Sequence, residues 1–197
     1  LIIYGSSGVC RVLSVGAPKA AMMDQSKVYY TLCPLYSTET IYTPVDTGVF
    51  MRPIVSRAEA EALIAQIPSI QEDVCEDRNP SFLKEHYKGV LQTHDCEDLI
   101  QLIKSIYSKS EDVTLRGKKL GQVDQQYWKR AEELLYGELS AALDIPYAEM
   151  GTFLSSAIMI AKPKEDAPDA AAPAVTLTKD DTAQTAEIAP LPLSTAL

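Results

Sequence analysis

"TIYTPVDTGVFMRPIVSRAEAEALIAQIP", Thr40 to Pro68, holds the change of texture that decides the fold. "TIYTPV" is short, β-branched and aromatic, as strands are. Pro44 lies inside it and cannot donate to a ladder, which points to an edge strand or a bulge. At Ser56 the pattern turns helical. Ser56 and Glu59 form a Ser-x-x-Glu capping box, Ala, Leu and Ile follow, and Pro68 is expected to end the helix.

Upstream, the pattern stays β. Val9, Arg11, Leu13 and Val15 alternate with Cys10, Val12 and Ser14, and "KVYYTLC" (Lys27 to Cys33) is another strand-like run. Four or five short strands in so short a stretch point to a small barrel. The segment Gly5-Ser6-Ser7-Gly8 could serve as a phosphate cradle, a nucleophile site or a turn. A phosphate loop needs G-x-x-x-x-G-K-[ST] ahead of a helix, and here there is no Lys and a strand follows. A nucleophile elbow needs G-x-S-x-G, and these glycines are too close together. A tight turn between two strands fits, with glycine supplying the unusual φ.

Downstream, a polar connector runs from Ser69 to Asp77, and helical periodicity then continues to about residue 160. Asn79 is the expected N-cap, with Pro80 in the first turn. Leu83, Tyr87, Val90 and Leu91 share one face. Cys96, Leu99, Ile100, Ile103, Ile106 and Tyr107 share another. "TLRGKKLGQ" (Thr114 to Gln122) interrupts. Tyr127, Trp128, Ala131, Leu134, Leu135, Leu139 and Ala142 then mark a longer helix, with Trp128 expected in the core. Pro146 opens the last helix, with Met150, Phe153, Leu154 and Ile158 expected inward. Four helices after the connector make a bundle. From Pro163 the chain is rich in Ala, Pro, Thr and acids without an aromatic residue, and is expected to be a disordered acidic tail.

The formal net charge of −9 over 197 residues argues against non-specific nucleic-acid binding by the whole chain. It leaves room for a local basic patch. Arg116, Lys118 and Lys119 make one between helices, either as a solvated loop or as a phosphate contact aided by amides of the next helix. No apolar run is long enough to span a membrane, and the opening residues lack the flanks of a signal peptide. A cytoplasmic location follows as an expectation. Cys10, Cys33, Cys75 and Cys96 sit far apart with no C-x-x-C pair, so reduced thiols and no metal are expected. His86 and His94, and the acid pairs Glu97/Asp98, Glu111/Asp112 and Glu132/Glu133, read as helix-surface groups. Nothing in the residues favours an enzyme or a cofactor.

The order of these pieces resembles the CarD/CdnL family, whose N-terminal domain is shared with transcription-repair coupling factor. The resemblance is carried in sequence order by five stretches: "IIYGSSGVCRVLSV", "YYTLCPL", "IYTPVDTGVFMRPIVSRAEAEALI", "LKEHYKGVLQTHDCEDLIQLIKSIY" and "RGKKLGQVDQQYWKRAEELLYGELSAALDIP". It spans residues 1 to 158. It implies a two-domain protein, β then α. A small Tudor-like β-barrel (1–55) would be followed by a helix and linker (56–78), a compact helical bundle (79–162) and the tail (163–197).

The function implied is that of a bacterial transcription regulator, expected to be a monomer. The edge strand, Thr40, Ile41, Tyr42, Thr43 and Pro44, would bind the RNA polymerase β subunit. The bundle, through Phe82, Leu83, Lys84, Lys88, Arg116, Lys118 and Lys119, would contact promoter DNA near the upstream edge of the melted region. The chain departs from some relatives in carrying Tyr42 where they have arginine. It also has Leu83, beside Phe82, where they have a wedge tryptophan. Leu83 shares its face with Tyr87 and Val90, so Phe82 is expected outward. The other function expected is that of a polymerase-bound adaptor whose bundle binds a protein and not DNA.

Overall fold

The β-branched and aromatic runs form β1 (Ile2–Tyr4), β2 (Val9–Gly16), β3 (Tyr29–Pro34), β4 (Ile41–Pro44) and β5 (Met51–Pro53). The computed structural model describes residues 1–18, 23–73 and 79–160, the last five by backbone alone. Cys75, part of the expected connector, the side chain of Ile158 and the tail from Pro163 lie outside the described residues. The strands make one antiparallel sheet in the order β4-β3-β2-β1-β5. The sheet is open: its pairing leaves β4 and β5 as edges and does not join them. Of the expected barrel, a five-stranded antiparallel sheet is present and its closure is not.

The Gly-Ser-Ser-Gly segment is a turn. Gly5–Ser7 form one 3-10 turn, closed by the Tyr4 amide donating to the Gly8 carbonyl at 2.9 Å. Gly5 and Gly8 have φ of 42° and 72°, where a side chain is strained. A Cβ on Gly5 would also lie 2.8 Å from Val49 Cγ1. The simple alternation expected along β2 breaks at a register shift between Val12 and Ser14. Leu13, inside the shift, and Val15 are both 55% exposed, on the outward side that Arg11 already takes before it.

The helices start where their caps predict. Helix α1 (Arg57–Gln66) has both halves of the capping box: Glu59 N donates to Ser56 Oγ, and Ser56 N donates to Glu59 Oε2 at 2.7 Å. A 3-10 turn at Ile67–Ser69, containing Pro68, ends it. Helix α2 (Pro80–Thr93) begins with Ser81 N donating to Asn79 Oδ1 at 3.0 Å. Helices α3 (Cys96–Leu115), α4 (Gln122–Leu143) and α5 (Tyr147–Ile160) complete the bundle. Its core includes Leu83, Tyr87, Ile100, Ile103, Ile106, Leu135, Leu139, Met150 and Leu154. One expectation fails: Phe153 is 44% exposed. Trp128 is half-buried and packs against the core, its Nε1 donating to Glu132 Oε1 at 2.9 Å. An indole nitrogen needs a partner, and this one finds it at the helix surface. Among the described residues, no helix is long and apolar enough to cross a membrane.

Residues Leu1–Pro163 form one compact unit. Sheet and bundle meet at a buried ion pair. Glu138 of α4, with a side chain 2% exposed, accepts from Arg52 Nη1 at 2.5 Å and Nη2 at 2.9 Å. It also accepts from Val55 N at 2.9 Å and Cys96 Sγ at 3.3 Å. Burial first, and then Glu138, hold the Cys96 thiol well above its ordinary pKa, so it stays protonated and donates. Arg52 Nη2 reaches the His94 carbonyl at 2.6 Å, at the left-handed cap of α2.

Removing one member of such a pair leaves a buried charge without its counter-ion. Arg52→Ala, which strands the Glu138 carboxylate, is therefore expected to lower the unfolding free energy in urea by about 3–5 kcal/mol. The double variant Arg52→Met/Glu138→Leu is expected to recover much of that loss. A single-variant cost below about 1 kcal/mol, the range of exposed pairs, would show that the joint is held by other contacts.

Candidate functional site

Strand β4 pairs only with β3: Tyr29↔Pro44, Tyr30↔Thr43, Thr31↔Tyr42 and Leu32↔Ile41. The Val45 amide donates to the Val28 carbonyl at 3.0 Å. Ladder groups alternate in direction, so Thr43 and Ile41 also turn theirs toward β3. Tyr42 and Pro44 turn theirs to the open edge. The proline thus stands where a missing N–H costs no bond within the sheet. Tyr42 is 39% exposed, Thr40 is exposed, and Ile41 and Pro44 are half-buried. Thr43 is only 4% exposed, so of the five expected contact residues its side chain is withdrawn.

The second candidate surface lies on the bundle. Phe82 is 53% exposed, whereas Leu83 is 5% exposed and packs in the core. Leu83 therefore presents nothing to a partner, and Phe82 is the outward one. Lys84 and Lys88 are exposed on the same helix. Arg116, Lys118 and Lys119 are exposed in the α3–α4 loop, with Arg116 Nη2 3.8 Å from Asp112. The loop turns at Gly117, φ 65°, and the Lys118 amide donates to Val113 O at 2.8 Å.

The expected help from α4's first amides is offset. Its first turn carries Asp124, 4% exposed, which accepts from Tyr87 Oη at 2.8 Å and Lys109 Nζ at 2.7 Å. That helix terminus already has its anion. A shallow groove follows α2, with Phe82, His86 and Val90 along it and Glu85 and Asp98 beside them.

Neither histidine takes part in a nucleophile arrangement among the described residues. The ring of His94 stacks on Phe50 at 4.5 Å, and burial, then Arg52, lower its pKa. His86 Nε2 is 3.4 Å from Asp73. Among the described residues no group of three or more His, Cys, Asp or Glu side chains could hold a metal ion. Cys10, Cys33 and Cys96 are free thiols. Glu132, expected to be solvated, instead accepts from Trp128 and from Tyr136 Oη at 2.9 Å.

Sequence reasoning overlooked the buried charges Glu138, Asp124 and Lys104. The last donates to the Ile67 and Ile70 carbonyls. A signal for two of them exists: Asp124 and Glu138 fall in step with Trp128, Ala131, Leu135 and Ala142 on one helical stripe. A charge on an apolar stripe must find a partner inside.

The contrast between Phe82 and Leu83 is testable by stability alone. Leu83→Ala is expected to cost about 2–5 kcal/mol in denaturant unfolding, as buried leucines do. Phe82→Ala should stay within about 0.5 kcal/mol, as exposed sites do. Equal costs would place both rings of contacts in the core. In comparisons with protein-family models and with curated proteins, the chain matches none.

Proposed function

We propose that the chain is a non-enzymatic bacterial transcription regulator of the CarD/CdnL type. In this reading the N-terminal sheet is Tudor-like, and β4 adds to a strand of the RNA polymerase β subunit. The outer face of α2 and the α3–α4 loop touch promoter DNA at the upstream edge of the melted region. The observation that carries the reading is β4 itself: a free edge, exposed at Tyr42, at the position where the sequence resemblance puts the polymerase contact. Main-chain pairing gives affinity in such additions, and alternate side chains give specificity. Phe82 takes the stacking role, with Lys84, Lys88, Arg116, Lys118 and Lys119 toward phosphates. Tethering by polymerase raises the local concentration, so an acidic protein needs only a weak DNA contact. The regulator works in the cytoplasm, at the nucleoid through polymerase, as a monomer.

The adaptor reading, in which the bundle binds a protein, is favoured by one observation. Glu85 and Asp98 flank the α2 groove, and a phosphate backbone would be repelled there.

Tyr42→Glu is expected to abolish retention of the full chain on immobilised polymerase holoenzyme while leaving the thermal midpoint unchanged. Normal retention by a folded variant would move the interface off β4. Reversal of Arg116, Lys118 and Lys119 to Glu is expected to weaken promoter binding at all sequences alike. It should flatten the log–log salt slope by about one unit per lost phosphate contact. An unchanged slope, with polymerase retention intact, would favour the adaptor.

A further inference from the structure

A cleft of about 490 Å³ opens between the sheet and α4–α5, beside Ile41 of the β4 edge. That volume lies in the range of sites that hold small groups. One wall is aromatic. The rings of Tyr36 and Tyr147 meet at 4.7 Å with a 40° tilt, and both residues are partly exposed. Tyr36 leans directly on the backbone of α4. Its hydroxyl donates to the Gly137 carbonyl at 3.0 Å, and a Cβ on Gly137 would come 3.1 Å from the ring. The residue type at Gly137 is what lets the ring lie there.

The other wall is acidic. Glu39 and Glu133 line it, against one cation, Arg130. Arg130 is already engaged: Nη1 donates to Glu133 Oε2 at 2.8 Å, and Nη2 donates to the Ser6 carbonyl. Glu39 has no ion-pair partner among the described residues. The field at the aromatic wall is negative as well. Burial, then Glu133, Tyr36 and Glu132, raise the pKa of the Tyr147 phenol, with Arg130 opposing.

An aromatic face beside a carboxylate that lacks a counter-ion recognises cations. We infer that this cleft receives an arginine side chain of a partner polypeptide, its guanidinium stacked on the Tyr36–Tyr147 pair and its N–H groups directed to Glu39. Arginine fits better than lysine because a planar guanidinium stacks on a ring and forks onto a carboxylate at once. A polypeptide source is favoured because Ile41 belongs to both the cleft and the free edge. A chain lying along that edge would pass the mouth of the cleft. This inference does not depend on what the partner is.

The test uses the full chain, labelled with ¹⁵N, titrated with acetyl-Ala-Arg-Ala-amide. The control is the same peptide with citrulline, which keeps the shape and loses the charge. The amides of Gly8, Ser37 and Gly137 are expected to shift and saturate with the arginine peptide. Binding of the citrulline peptide should be roughly tenfold weaker or absent. Glu39→Gln, at an exposed position that folding does not need, should weaken the arginine peptide several-fold, and so should Tyr147→Leu. If Tyr147→Leu does not fold, Glu39→Gln alone decides. Equal binding of both peptides, shifts centred on another acidic surface such as Glu111 and Asp112, or indifference to Glu39→Gln would each overturn the inference.

Discussion

The Arg52–Glu138 pair is the constraint on which the arrangement of sheet and bundle rests. Glu138 is satisfied only when donors from three places converge: the Arg52 guanidinium, the Val55 amide and the Cys96 thiol. Arg52 in turn closes on the carbonyl that caps α2. Strand β5, the entry to α1, the α2–α3 corner and α4 are therefore fixed by one carboxylate. A buried pair of this kind is weak evidence for raw stability, because desolvation offsets much of the Coulomb gain. Its effect is selective: another packing of sheet on bundle would strand the charge. The pair anchors β5 at one edge of the sheet, and β4 lies at the other edge.

What was legible in the sequence was local. The Ser56–Glu59 capping box and the Asn79-Pro80 start are satisfied within a few residues, so their partners stand in the same quoted line. Pro44 at an edge strand was legible for a similar reason, since its missing donor is a property of one residue. The outward direction of Phe82 followed from the spacing of Leu83, Tyr87 and Val90. What escaped was non-local. Glu138 finds its partner 86 residues away, and no window of sequence contains both. Phe153 failed because α5 is apolar nearly all round, so periodicity does not single out its buried face. In the candidate sites, the residue types of β4, α2 and the basic loop could be read. The withdrawal of Thr43 and Leu83, and the carboxylate already at the start of α4, depended on packing.

The cations divide into two populations. Arg52, Lys104 and Lys109 are turned inward onto Glu138, two carbonyls and Asp124. Lys84, Lys88, Lys118 and Lys119 remain exposed on an acidic molecule. At physiological ionic strength an exposed charge is felt over about 8 Å. Those lysines therefore act at contact and not at a distance. A surface of this type does not search for an anionic polymer by itself. In the reading proposed above, that contact would follow recruitment through the sheet edge.

The backbone of that edge carries its own limit. Pro44 has no N–H and its carbonyl already accepts from the Thr47 amide at 3.1 Å, so Tyr42 is the residue within β4 that offers both a donor and an acceptor. An incoming strand can complete one full pair there. Long, flat edges rich in donors template their own repetition and grow into fibrils. This one is too short and too one-sided to propagate. The missing donor that limits what can pair with β4 is also what keeps the edge from templating copies of itself.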